Sequence, residues 1–180
     1  MSTLTVQNIQ GSSSSGNTIS VASGHKISGS AGSIVAPGQV IQTVTTGTIA
    51  STTFTTTGAW TDTNYTLSIT PQFSSSKILF HSTNNIRLVG STPMRGGIRV
   101  QRTVSSSGTI VWNTAGHTET FQVRNADNEH DALGSLTFLD SPATTSTVTY
   151  LIQAYLLTGT NFYSFESARG GNIVLQEIAG

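Results

Sequence analysis

The stretch that most constrains this chain is Thr147–Leu157, TVTYLIQAYLL. Val148, Tyr150, Ile152, Ala154 and Leu156 recur at period two and are all apolar, as one face of a β-strand requires. The alternate set is Thr147, Thr149, Leu151, Gln153, Tyr155 and Leu157, half of it apolar. A half-buried strand turns a mostly polar second face to water, so this second face is expected to meet a partner, most simply another copy of the chain.

The rest of the chain repeats the strand signal. Strands are expected over Val40–Thr46, Ile49–Thr57, Tyr65–Thr70, Lys77–Thr83, Ile86–Val89, Gly97–Val104, Thr109–Asn113, Thr118–Val123, Ala132–Leu139, Phe162–Phe165 and Asn172–Ile178. No window carries sustained 3.6-residue periodicity with caps. The 25 Ser and 30 Thr suit strands and turns, and the spacing points to an all-β sandwich or barrel. Ile173, Val174, Leu175 and Ile178 make the last strand apolar on both faces, which places it inside a sheet, as in a jelly roll.

Residues 1–37 differ in kind. They hold SSSS at 12–15, glycines at 24, 29 and 32, no aromatic residue, and small apolar beads such as Ile19 and Val21. One copy cannot bury enough surface to offset its chain entropy. The segment is either a disordered arm or one ordered by partners, wound with sister chains into a thin β-stem or docked on a host structure. Pro37-Gly38 marks the boundary with a domain spanning 38–180.

Charge and chemistry narrow the function. Eight basic and eight acidic residues give zero formal net charge, and the basic residues do not cluster, so nucleic acid is not an expected partner. Near-zero charge favours association. With no cysteine, neither disulfides nor thiolate metal sites are available. The opening MSTLTVQNIQ has no basic and then apolar signal pattern, and no apolar run reaches the ~20 residues of a membrane helix, so neither secretion nor insertion is expected. His117 with Glu119, and the loop Asp127–Asp131, offer ligand types without a metal motif. Asp62, Glu119, Asp140 and Glu166 show no pairing that marks a glycosidase, and GxSxG is missing, so no enzyme, metal or cofactor is expected.

Aromatic residues are the better functional signal. Trp60 in GAWTDTNY, and Phe162, Tyr163 and Phe165 between two glycines, either plug an open end of the sandwich or contact a partner or receptor, stacking on a sugar ring or anchoring an interface. Arg87, Arg95, Arg99 and Arg102 gather in one third of the chain, on a solvated face or facing acids of a neighbouring subunit. Leu151, Tyr155 and Leu157, with Val174 and Ile178 near the end, are the candidate subunit interface.

Several segments resemble a family. SSKILFH at 75–81, LDSPATTSTVTYLIQ at 139–153 and NIVLQEIA at 172–179 resemble virion structural proteins of marine tailed phages, especially cyanophages, often described as tail-fibre-like. MSTLTVQNIQ and GNTISVASGHKISG are similar to the N-terminal part of those proteins. The likeness is thin over 84–131, and its motifs are structural. It implies a homotrimer with a slender N-terminal part and a C-terminal jelly roll similar to tumour-necrosis-factor or C1q heads. It also implies a place on the exterior of a virion made in the host cytoplasm. The expected function is a short trimeric tail fibre or adhesin attached to other virion proteins through 1–37 and touching a host glycan or protein. The alternative is a trimeric capsid decoration protein or head fibre.

Overall fold

In a computed structural model of the chain, the described residues are 9, 11, 14, 19–29, 34–47, 49–90, 93–113, 120–123, 129–164 and 171–180. The chain divides into two units, 1–34 and 35–180. Among the described residues of the first, His25 N–H donates to the Ala22 carbonyl in a turn with Gly24 at φ +83°. Its beads Ile9, Ile19, Val21, Ile27 and Ile34 are exposed.

The second unit is all-β, with two antiparallel sheets. Its strands are β1 (Val40–Thr45), β2 (Thr52–Phe54), β3 (Trp60–Ile69), β4 (Lys77–Val89), β5 (Met94–Val104), β6 (Ser107–Trp112), β7 (Phe121–Val123), β8 (Glu129–Asp140), β9 (Val148–Thr158), β10 (Asn161–Ser164) and β11 (Asn172–Ile178). Sheet 1 runs β1-β11-β4-β10-β2, with β8 on β4; sheet 2 runs β3-β9-β5-β6, with β7 on β5. The expected strands over 77–83 and 86–89 are one continuous strand, β4, because β8 pairs with it along its whole length. β10 is not the edge that its shortness suggests, since β2 and β4 flank it. β11 is internal, between β1 and β4. β8 bonds only to β4 among the described residues.

Alternation explains the core. On β9, Val148, Tyr150, Ile152, Ala154 and Leu156 are all buried, as their period-two pattern requires. They meet Tyr65 and Ile69 of β3, Ile98 and Val100 of β5, and Phe80 and Leu175 of sheet 1 in one apolar cluster. The Phe80 ring lies 5.8 Å from that of Tyr150 and 4.9 Å from that of Phe138, so aromatic contacts join the two sheets.

Two polar groups sit inside this core at fixed points. Glu177 of β11 is 0% exposed. Its Oε1 accepts from the Gln72 and Phe73 amides at 2.7 and 3.3 Å, and its Oε2 accepts from Gln42 Nε2 at 2.5 Å. The loop after β3 and strand β1 are thereby tied to β11. Between the sheets, Arg102 Nη1 donates to both Asp140 oxygens at 2.8 and 2.9 Å, and Tyr150 Oη donates to Asp140 Oδ2 at 2.7 Å. Arg102 therefore lies on neither the solvated face nor the subunit contact weighed for the arginines. Its partner is the chain's own Asp140.

Burial, and then the hydrogen bond to Asp140, push the Tyr150 hydroxyl far above its ordinary range; burial pushes that of Tyr65 up to about 12. Both folded values exceed the unfolded value of 10.0. Their stabilising contribution is thus complete below pH 10 and is lost as pH rises beyond it. Urea unfolding at pH 8, 10 and 11 is expected to show a loss above pH 10 that Tyr150→Phe makes shallower.

The β5–β6 hairpin turns on two serines, Ser105 at φ +47° and Ser106 at φ +72°, with Val104 paired to Ser107. Positive φ at both central positions defines a type I′ turn, which Asn-Gly suits better than Ser-Ser. Ser105→Asn with Ser106→Gly is expected to raise stability by about 1 kcal/mol, read as a higher denaturant midpoint at unchanged slope.

Candidate functional site: the outer face of sheet 2

Alternation that buries one set of β9 residues turns the other set outward. Opposite them, the register places Trp60 across from Tyr155 and Asp62 across from Gln153 on β3. On β5 it places Gly97 across from Tyr155, Arg99 across from Gln153 and Gln101 across from Leu151. Trp60, Asp62, Arg99, Gln153 and Tyr155, from three strands, thus share one patch.

Their contacts form a chain. Gln153 Nε2 donates to Asp62 Oδ1 at 2.6 Å, and Arg99 Nε donates to Gln153 Oε1 at 2.6 Å. The Arg99 guanidinium carbon lies 4.4 Å from the centre of the Trp60 ring, a cation–π distance. The Trp60 and Tyr155 rings are 5.2 Å apart and tilted by 56°. Gln153 is only 8% exposed although it faces outward, because its neighbours cover it. Desolvation lowers the Arg99 pKa, and the nearby Asp62 carboxylate opposes that shift. Among the described residues nothing accepts a hydrogen bond from the terminal amino groups of Arg99, which remain available beside two aromatic rings.

The structure separates the residues expected to form the subunit interface. Leu151, Tyr155 and Leu157 are half-buried on β9 in sheet 2, and Val174 and Ile178 are half-buried on β11 in sheet 1. Both sets alternate with core residues, so they face outward from opposite sheets. The outward face of sheet 1 carries, besides Val174 and Ile178, Leu79 of β4 and Leu139 and Leu133 of β8, the last two 51% and 80% exposed.

Trp60 is not on a loop. It opens β3, where Gly58, at φ +82°, turns the chain into the strand. Phe162 and Tyr163 lie in β10, in register with Phe54 and Thr53 of β2 and with Leu88 and Arg87 of β4. Phe165, His117, Glu119 and the Asp127–Asn128 part of the weighed loop lie outside the described residues. No cluster of three metal-ligating side chains occurs among the described residues, and no helix is long and apolar enough to cross a membrane.

No protein-family model matches the chain, and no curated protein matches it.

Asp62, Arg99 and Gln153 are the site residues that sequence reading passes over. Asp62 reads as an unpaired acid, and Arg99 as a solvated charge or a contact with acids of a neighbouring subunit. Only the cross-strand register joins positions 62, 99 and 153. The signal available in the sequence is the alternation of β5 and β9, which puts Arg99 and Gln153 opposite to buried neighbours.

Proposed function

We propose that the chain is a bacteriophage virion structural protein, a short trimeric tail fibre or adhesin. In this reading an N-terminal segment attaches to the particle and a jelly-roll head meets the host surface. The observation that carries it is the strand order. β11 lies between β1 and β4, β9 lies between β3 and β5, and the neighbours β3 and β4, β4 and β5, and β8 and β9 belong to different sheets. Strands that roll over from one sheet to the other in this way support a jelly roll, the head that the phage resemblance implies.

Self-association is assigned to the outer face of sheet 1. Leu79 and Leu139 are cross-strand partners there, Val174 and Ile178 lie on the adjoining β11, and Leu133, farther along β8, is separated from them by His81, Thr137 and Ser135. On sheet 2 the corresponding surface is already occupied by its own polar chain. Large apolar side chains exposed on one sheet face, as Leu133 and Leu139 are, support a protein contact there. Leu139→Asp is expected to turn the trimer into monomers in native mass spectrometry, whereas Leu151→Asp leaves it trimeric. A trimer that survives Leu139→Asp, or a wild-type monomer at micromolar concentration, removes this seam.

The role itself is tested by gold-labelled antibody on intact virions. Label at the tail supports the adhesin. Label over the head supports the alternative, a capsid decoration protein or head fibre, and label at neither removes the virion reading.

A further inference from the structure

We propose that the patch around Trp60, Arg99 and Tyr155 binds an acidic sugar unit, one bearing a carboxylate or a sulfate, of a surface polysaccharide. This rests on the host-surface reading above and names its ligand class.

Three observations carry it. The first is shape: two rings 5.2 Å apart and tilted by 56° offer angled apolar walls, against which the C–H face of a pyranose can pack. Gly97, in register with Tyr155, adds no side chain to the β5 side of that ring.

The second is preorganisation. Arg99 is held at Nε by Gln153, which Asp62 holds in turn, so the guanidinium is fixed without using its terminal amino groups. A planar fork held in place beside an aromatic surface suits a carboxylate or sulfate better than a mobile lysine does. The side chain is already partly desolvated, which strengthens its pairing with an anion.

The third is charge. The strands of sheet 2 direct Arg95 and Arg99 of β5 and Asp62 of β3 outward, and β9 and β6 carry no charged residue. Arg102, the remaining arginine of β5, is committed to Asp140. On this face the Asp62 carboxylate is engaged by Gln153 Nε2, which leaves the Arg99 guanidinium as the cation beside the Trp60 ring. A neutral sugar would use the rings alone; an acidic one uses the rings and the fork together.

The test is calorimetric titration of the full-length protein with tetragalacturonate, a sulfated carrageenan tetrasaccharide and cellotetraose. At least one acidic probe is expected to bind 10-fold or more tightly than cellotetraose, with affinity falling as salt rises. Which acidic probe binds decides between carboxylate and sulfate. Arg99→Lys, which keeps the charge and loses the fork, and Trp60→Ala are each expected to weaken binding at least 10-fold, with mass and melting temperature unchanged. Equal binding of cellotetraose, unchanged binding by Arg99→Lys, or no binding of either acidic probe overturns the proposal. So does a change of oligomeric mass in Arg99→Lys, which would make the patch a contact between copies. If label sits at the phage tail and no acidic probe binds, the ligand class fails while the adhesin reading stands.

Discussion

Glu177→Leu is expected to cost about 3–5 kcal/mol and to lower the melting temperature by roughly 10 °C or more. The residue is wholly buried, and three donors converge on it: the backbone amides of Gln72 and Phe73 and the Gln42 side-chain amide. Leucine has similar bulk, so little of the loss comes from a cavity. It comes from leaving buried N–H groups without an acceptor, each costing about 1–3 kcal/mol. Gln42 keeps one partner, the Thr70 carbonyl at 2.7 Å, which moderates its share. Glu177→Gln keeps one carbonyl oxygen for the backbone amides but turns an NH2 toward Gln42, so it should recover roughly half of the loss. Thermal unfolding of the three proteins checks the order: wild type, then Gln, then Leu. A leucine variant within 1 kcal/mol of wild type would show that the three donors find other acceptors.

The second large effect belongs to Asp140. Asp140→Ala is expected to destabilise by about 3–5 kcal/mol, because it strands the Arg102 charge and the Tyr150 hydroxyl between the sheets. The double variant Arg102→Met with Asp140→Leu should lose less than the single one, since it removes the charge together with its partner. Breaking a partly buried pair costs more than replacing it with apolar groups that fill the space. Denaturant unfolding of wild type, Arg102→Met, Asp140→Leu and the double variant forms a cycle. Additive losses across that cycle would mean that the ion pair itself contributes little to stability.

The inward half of the fold was readable residue by residue. β9 announced its buried set because five apolar residues keep period two without interruption. Tyr65, Leu67 and Ile69 did the same for β3, and the two-sided apolar pattern of β11 marked it as internal. Reading failed where a strand's character depends on its neighbour. Asn84-Asn85 looks like a break between two short strands, yet β8 bonds straight across it at Gly134 and Leu133. Trp60 looks like a loop residue because Gly58 and Asp62 flank it, yet Tyr155 pairs with it. The positive φ at Ser105 and Ser106 is likewise set by the β5–β6 pairing, since two serines do not specify it. The site was the least readable part. Asp62, Arg99 and Gln153 meet only because β9 lies between β3 and β5, and register is a property of paired strands rather than of any one of them.

The position of β11 has a consequence for how the molecule is made. It is the strand that closes sheet 1 between β1 and β4, yet those partners precede it by roughly 90 to 140 positions. During synthesis β4 must wait for both β8 and β11 with its edges unpaired. Pairings so remote in sequence fold slowly, and the waiting chain exposes apolar strand edges. A chain interrupted before Asn172 should therefore accumulate in inclusion bodies or be degraded, while the released chain folds in a late, single step. The rate at which β11 docks would then limit the yield of folded chain more than the stability of the finished sandwich does.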